Sequence, residues 1–94
     1  MIEKYSNPQI VFHRAKMIFG NDVQIKLSTR KDKKYMLLNP NNNKWIHFGS
    51  MKPAMEDFTK HKNFERREQF RKRNKKWSLQ EPYSAGFLSY FILW

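Results

Sequence analysis

Between Pro8 and Phe19 the apolar residues recur at helical spacing: Val11, Ala15 and Ile18 fall on one face with Phe12 and Phe19 flanking it, while His13, Arg14 and Lys16 lie elsewhere. Both ends of this segment are punctuated. Asn7 can accept hydrogen bonds from free amides, Pro8 suits a first turn where its missing N–H would be unpaired anyway, and Gly20 can take the left-handed conformation that stops a helix. The apolar face is expected to be core.

The period then shortens to two. In Val23-Gln24-Ile25-Lys26-Leu27-Ser28 the aliphatic side chains share one side of a strand and the polar ones the other. Arg30 to Lys34 reads as a charged turn and Tyr35 to Leu38 as a second strand. Asn39-Pro40-Asn41-Asn42-Asn43 is a dense cluster of turn formers. Lys44 to Phe48 returns, with Ile46 and Phe48 on one face, Trp45 and His47 on the other, and Gly49 closing the run. Links this short predict an antiparallel meander, because a parallel crossover needs about a dozen residues or more.

From Ser50 to Phe58 the pattern weakens around Pro53 and predicts a loop. Asp57 or Thr59 can cap a helix running to about Asn74, whose narrow stripe of Phe58, His61, Phe64 and Phe70 has to anchor it by packing on the sheet. After Glu81-Pro82, Ser84 caps a last short helix from Ala85 to Trp94, in which Phe87, Tyr90, Phe91 and Trp94 recur at three- and four-residue spacing. No capping residue follows Trp94, which suggests a helix buried against the domain or a partner, or a chain truncated relative to its relatives. The fold class expected is α+β in one domain, residues 1–94: an N-terminal helix, a three-stranded antiparallel meander, a basic helix and a short aromatic C-terminal helix.

Composition narrows this picture. A net charge of +11 would suit a disordered chain, but 16% aromatic and 39% apolar residues supply material for one modest core. Without cysteine, disulfides and thiolate metal sites are excluded. The opening MIEKYSNPQI is no secretion signal, and no apolar run reaches the roughly 18 to 20 residues that cross a bilayer. A soluble protein of a cell interior or a virion interior is therefore expected, not a secreted one.

The charge is concentrated. Nine Lys and Arg lie among the seventeen residues 60–76: Lys60, Lys62, Arg66, Arg67, Arg71, Lys72, Arg73, Lys75 and Lys76, opposed only by Glu65 and Glu68. The eighteen residues that follow carry one charge. Such a segment gains free energy on meeting a polyanion and releasing its counterions, whereas the plainer reading of a charge run is a solvated helix face. At this net charge polyanion binding is the favoured reading, through contacts of Lys and Arg to phosphate oxygens that fix position without reading base sequence. A second basic group, Lys26, Arg30, Lys31, Lys33 and Lys34, either extends that surface or is a soluble hairpin tip.

The remaining chemistry is sparse. Trp45 and Trp77 can stack on unpaired bases, although core packing is the commoner role; Trp77, directly after the basic run, is the better candidate for stacking. His13, His47 and His61 define no metal-ligand spacing, and no metal or other cofactor is expected. Glu56 and Asp57 lack the rest of a nuclease's carboxylate cluster, and Asp57 reads better as a helix cap, so no catalytic residue is assigned. Phe87, Tyr90, Phe91 and Trp94 either complete the core or form an apolar patch for a protein contact or self-association. Basic and apolar residues are segregated along the chain, which disfavours an interfacial membrane helix.

Lys34-Tyr35-Met36-Leu37-Leu38-Asn39-Pro40, Lys44-Trp45-Ile46-His47-Phe48-Gly49, Glu56-Asp57-Phe58-Thr59-Lys60-His61-Lys62, Glu65-Arg66-Arg67 and Arg71-Lys72-Arg73-Asn74 together resemble a family of small basic proteins encoded by nucleocytoplasmic large DNA viruses. Ser84-Ala85-Gly86-Phe87-Leu88-Ser89-Tyr90 with Leu93-Trp94 is similar to that family's aromatic end. The resemblance runs from residue 34 to the terminus, leaves out the N-terminal helix, and involves relatives that often continue past the Leu-Trp pair. It implies a viral origin and an infected cell's cytoplasm or nucleus, or the virion interior, as the location. It offers no catalytic residues, since the family has no established activity. The function expected is non-enzymatic, largely sequence-independent nucleic-acid binding, with DNA favoured over RNA. The alternative is a virion structural or scaffold protein docking on another protein through its aromatic end.

Overall fold

A computed structural model describes residues 2–94. Its elements are α1 (Pro8–Phe19), β1 (Ile25–Leu27), β2 (Lys33–Asn39), β3 (Lys44–Ser50), α2 (Phe58–His61), α3 (Phe64–Arg73) and α4 (Ala85–Leu88), the last continuing as a wider helical turn over Ser89–Leu93. One-turn 3-10 helices precede α1 at Ile2–Lys4 and follow α3 at Lys75–Leu79. The architecture is α+β, as expected, and the three strands form an antiparallel meander in the order β1-β2-β3.

Local chemistry explains the element ends. Asn7 accepts from the amides of Gln9 and Ile10 at 3.1 and 3.4 Å, and Gly20 ends α1 at a φ of 97° while its N–H bonds Lys16. Pairing of Ile25 with Leu37, and of Leu37 with Ile46, sets the register and brings Ile25, Leu37, Ile46, Tyr35 and Phe48 to one face. That face meets α1 and the C-terminal segment in a core of Val11, Ala15, Tyr35, Leu37, Phe48, Leu88, Ile92, Leu93 and Trp94. Gly49 has a φ of 83°, and a Cβ there would lie 2.9 Å from Leu93 Cδ1, so this corner admits no side chain.

Three expectations change. Ile18 does not face the core: it is 42% exposed, and Phe12 and Phe19 pack inward instead, the latter stacked on Tyr83 at 5.0 Å. The strand predicted over residues 23–28 shortens to Ile25–Leu27, with Leu27 47% exposed at the sheet edge. The single helix expected from Asp57 or Thr59 to Asn74 is two helices. Asp57 caps the first by accepting from the Thr59 amide at 3.0 Å; Lys62 then takes the left-handed conformation, and Asn63 caps the second by accepting from Arg66 at 3.1 Å. His61 stabilises the break, since its Nδ1 accepts the Asn63 N–H at 2.9 Å and so diverts that amide from a helical bond.

A buried polar network ties the segment before α1 to β2 and to the start of α2. Tyr35 donates to Ser6 Oγ at 2.7 Å, and Thr59 Oγ1 donates to Asp57. With its proton committed there, Thr59 accepts from Ser6 at 3.2 Å and from the Asn7 amide at 2.9 Å. Lys34 Nζ donates to Asp57 Oδ2 at 3.2 Å and to the main-chain oxygens of Tyr5 and Met55. Each buried donor thus has an acceptor, the condition under which burying a charge pair is tolerable.

Candidate nucleic-acid interface

Residues 60–76 span α2, the break, α3 and the following 3-10 turn, so the basic run does not form one continuous stripe. Lys60, Lys62, Arg66, Lys72, Arg73, Lys75 and Lys76 are exposed, while Arg67 and Arg71 are half-buried. The two salt bridges between described residues, Arg30–Asp32 and Lys34–Asp57, include none of the nine. On α3 the outward face carries Glu65 and Glu68 beside Lys72, which dilutes positive charge at mid-helix. The densest cationic stretch is therefore the end of α3 and the turn beyond it: Arg71, Lys72, Arg73, Lys75 and Lys76, with no acid among them. Cations there also oppose the partial negative charge of a helix C-terminus.

Arg67 and Arg71 have structural partners as well. The Arg67 guanidinium lies 4.6 Å over the Phe58 ring and 4.9 Å over Phe64, and Arg71 lies 5.3 Å from the Tyr90 ring centroid. Arg71 also donates to the main-chain oxygen of Trp94 at 3.1 Å, and Arg14 donates to that of Ile92 at 3.0 Å. These two arginines cap the C-terminal helical segment, whose last carbonyls would otherwise lack partners. The guanidiniums stand close together: burial lowers the pKa of Arg14, and the charges of Arg71 and Arg67 lower it further.

Between α3 and the C-terminal segment lies an open groove of about 240 Å³ lined by Arg67, Glu68, Arg71, Lys72, Lys75 and Tyr90. It presents four cations against one carboxylate. Arg71 Nε is buried and makes no hydrogen bond. The excess of cations leaves this groove electropositive, while the unpartnered Arg71 Nε lies beneath its surface and out of reach of solvent.

The other predicted positions separate. Trp77 is half-buried and packs edge-on to Phe70 at 5.8 Å. Trp45 is not a core residue: pairing with Leu38 puts it on the sheet face away from the core, where Lys26 Nζ sits 4.8 Å over its ring. The second basic group is not a shared surface, since Lys34 is buried against Asp57 and Arg30 is paired with Asp32 at 2.9 Å. Lys34 carries no signal in sequence that distinguishes it from Lys31 or Lys33; its burial depends on partners 21 to 29 residues away.

Trp94 is buried and stacked on Phe70 at 4.3 Å, while Phe87, Tyr90 and Phe91 are half-buried against one another. His13 is exposed, His47 bonds Ser28 Oγ at 2.6 Å, and His61 packs on Trp94, so the three are not assembled. Among the described residues no group of three or more His, Cys, Asp and Glu is placed to hold a metal, and no helix is long and apolar enough to cross a membrane.

A family model described as a family of unknown function (DUF5754) matches residues 23–78. The match contains the whole sheet, both α2 and α3 and all nine cations of the basic run; α1 and the aromatic C-terminal segment lie outside it. No curated protein and no solved structure matches the chain.

Proposed function

We propose that this chain, which belongs to the DUF5754 family, is a non-enzymatic, largely sequence-independent nucleic-acid-binding protein of a large DNA virus, with DNA favoured over RNA. The observation that carries the reading is the cationic end of α3 with its groove: four cations line it against one carboxylate, and none of the nine basic residues belongs to a salt bridge between described residues. Phosphate oxygens satisfy that arrangement, with exposed lysines holding the polymer as point charges and arginines adding paired donors. The viral assignment rests on the sequence resemblance alone.

Binding of a labelled mixed-sequence oligonucleotide tests the proposal. Affinity should fall log-linearly with salt, at a slope of roughly 0.9 per duplex phosphate engaged. A chain that ignores both duplex and single strand at about 50 mM salt, where attraction to phosphate is strongest, would contradict it.

A further inference from the structure

The cleft of about 380 Å³ beside the basic turn carries a chemistry that phosphate binding does not use. Its walls include the stacked pair Phe70 and Trp94, Trp77 set edge-on to Phe70, and the apolar side chains of Phe48, Leu93 and Met55. Its polar groups include Glu56, Ser50, Ser89 and Lys33. At Gly86 a Cβ would stand 3.0 Å from Trp77 Cγ and 2.3 Å from Gln80 Oε1, so the missing side chain is what lets the indole lie against this wall.

We infer that this cleft receives one unstacked base of a single strand whose phosphates lie along Lys72 to Lys76. The inference rests on the nucleic-acid reading above and deepens it from polyanion to unpaired strand. Four observations lead there. Trp77 shares the 3-10 turn Lys75–Leu79 with two exposed lysines, so a backbone held by that turn brings its bases to the indole. An apolar aromatic wall repels a phosphate but suits a planar ring, since every base has a π-face. Glu56 can accept an N–H from a base edge. The volume lies near the lower end of the range of about 300–1,000 Å³ for small-ligand sites, which fits one ring system rather than a length of strand. A duplex keeps its bases stacked and paired, and so cannot offer one without the cost of extruding it.

The test compares an oligothymidylate with an abasic strand of the same length and the same phosphates, read by binding and by tryptophan emission of a Trp45→Phe chain, in which Trp77 and Trp94 are the emitters. The thymidine strand should bind about 5- to 160-fold more tightly than the abasic one, the range that one stacked base supplies. It alone should alter the emission. In Trp77→Ala that ratio should fall towards one. Equal affinities with unchanged emission, or failure of both strands to bind while a mixed-sequence duplex still does, would overturn the cleft assignment and leave phosphate binding intact; failure of both strands and of that duplex would overturn the nucleic-acid reading itself. The comparison on the Trp45→Phe chain decides between these even if Trp77→Ala does not fold.

Discussion

Lys34 and Arg30 belong to one basic cluster in the sequence, yet they have opposite fates in the fold. Arg30 meets Asp32 at the surface, where water screens such a pair and it adds little to stability. Lys34 meets Asp57 with both side chains almost wholly buried, and burial lowers the lysine's pKa more than the carboxylate raises it. Removing one partner leaves an uncompensated charge in the interior. Asp57→Ala should therefore cost about 3–5 kcal/mol in urea unfolding, and clearly more than Asp32→Ala, whose charge water screens. His61 is a second residue whose setting decides its behaviour. Its Nδ1 accepts the Asn63 N–H, which leaves the proton on Nε2, buried and unpartnered. Burial, then the charge of Arg66, lowers its pKa below the ordinary 6.5. Between that lowered value and 6.5 the unfolded chain binds the extra proton, so stability should fall as pH drops through this window. The thermal midpoint should be lower at about pH 5.5 than at about pH 7.5, and His61→Phe should reduce the difference.

At the scale of elements, what is legible in sequence is what the chain decides locally. Asn7, Asp57 and Ser84 are caps because each side chain reaches an amide two or three residues ahead, and the alternation in β3 needs only its neighbours. The break at Lys62 is local too, but Asn63 is hidden inside a run of good helix formers, where nothing marks it as a second cap. Asn63→Ala should cost about 1 kcal/mol, the usual value of a lost N-cap, measurable by denaturant unfolding. The cap of the C-terminal segment is illegible for a different reason. Arg14 reaches the Ile92 oxygen across 78 residues and Arg71 the Trp94 oxygen across 23, and no periodicity reports such pairs. The outcome for Trp94 follows from them: with its oxygen capped and its ring on Phe70, it closes the core.

Over the whole molecule, the clustering of positive charge is plain in the sequence, whereas its division between structural and free cations is not. Arg67 and Arg71 look identical to Arg66 and Arg73 along the chain; packing on Phe58, Phe64 and Tyr90 tells them apart. The family match covers every one of these cations while leaving out α1 and the C-terminal segment that complete the core with the sheet. Binding through the exposed cations is decided by the salt dependence of oligonucleotide affinity, compared between the unsubstituted chain and one with Arg66, Lys72, Arg73 and Lys75 replaced by Ala. If these side chains hold phosphates, the log-log slope should shrink by about one for every phosphate the variant no longer engages, with the thermal midpoint unchanged. An unaltered slope in the folded variant would contradict it.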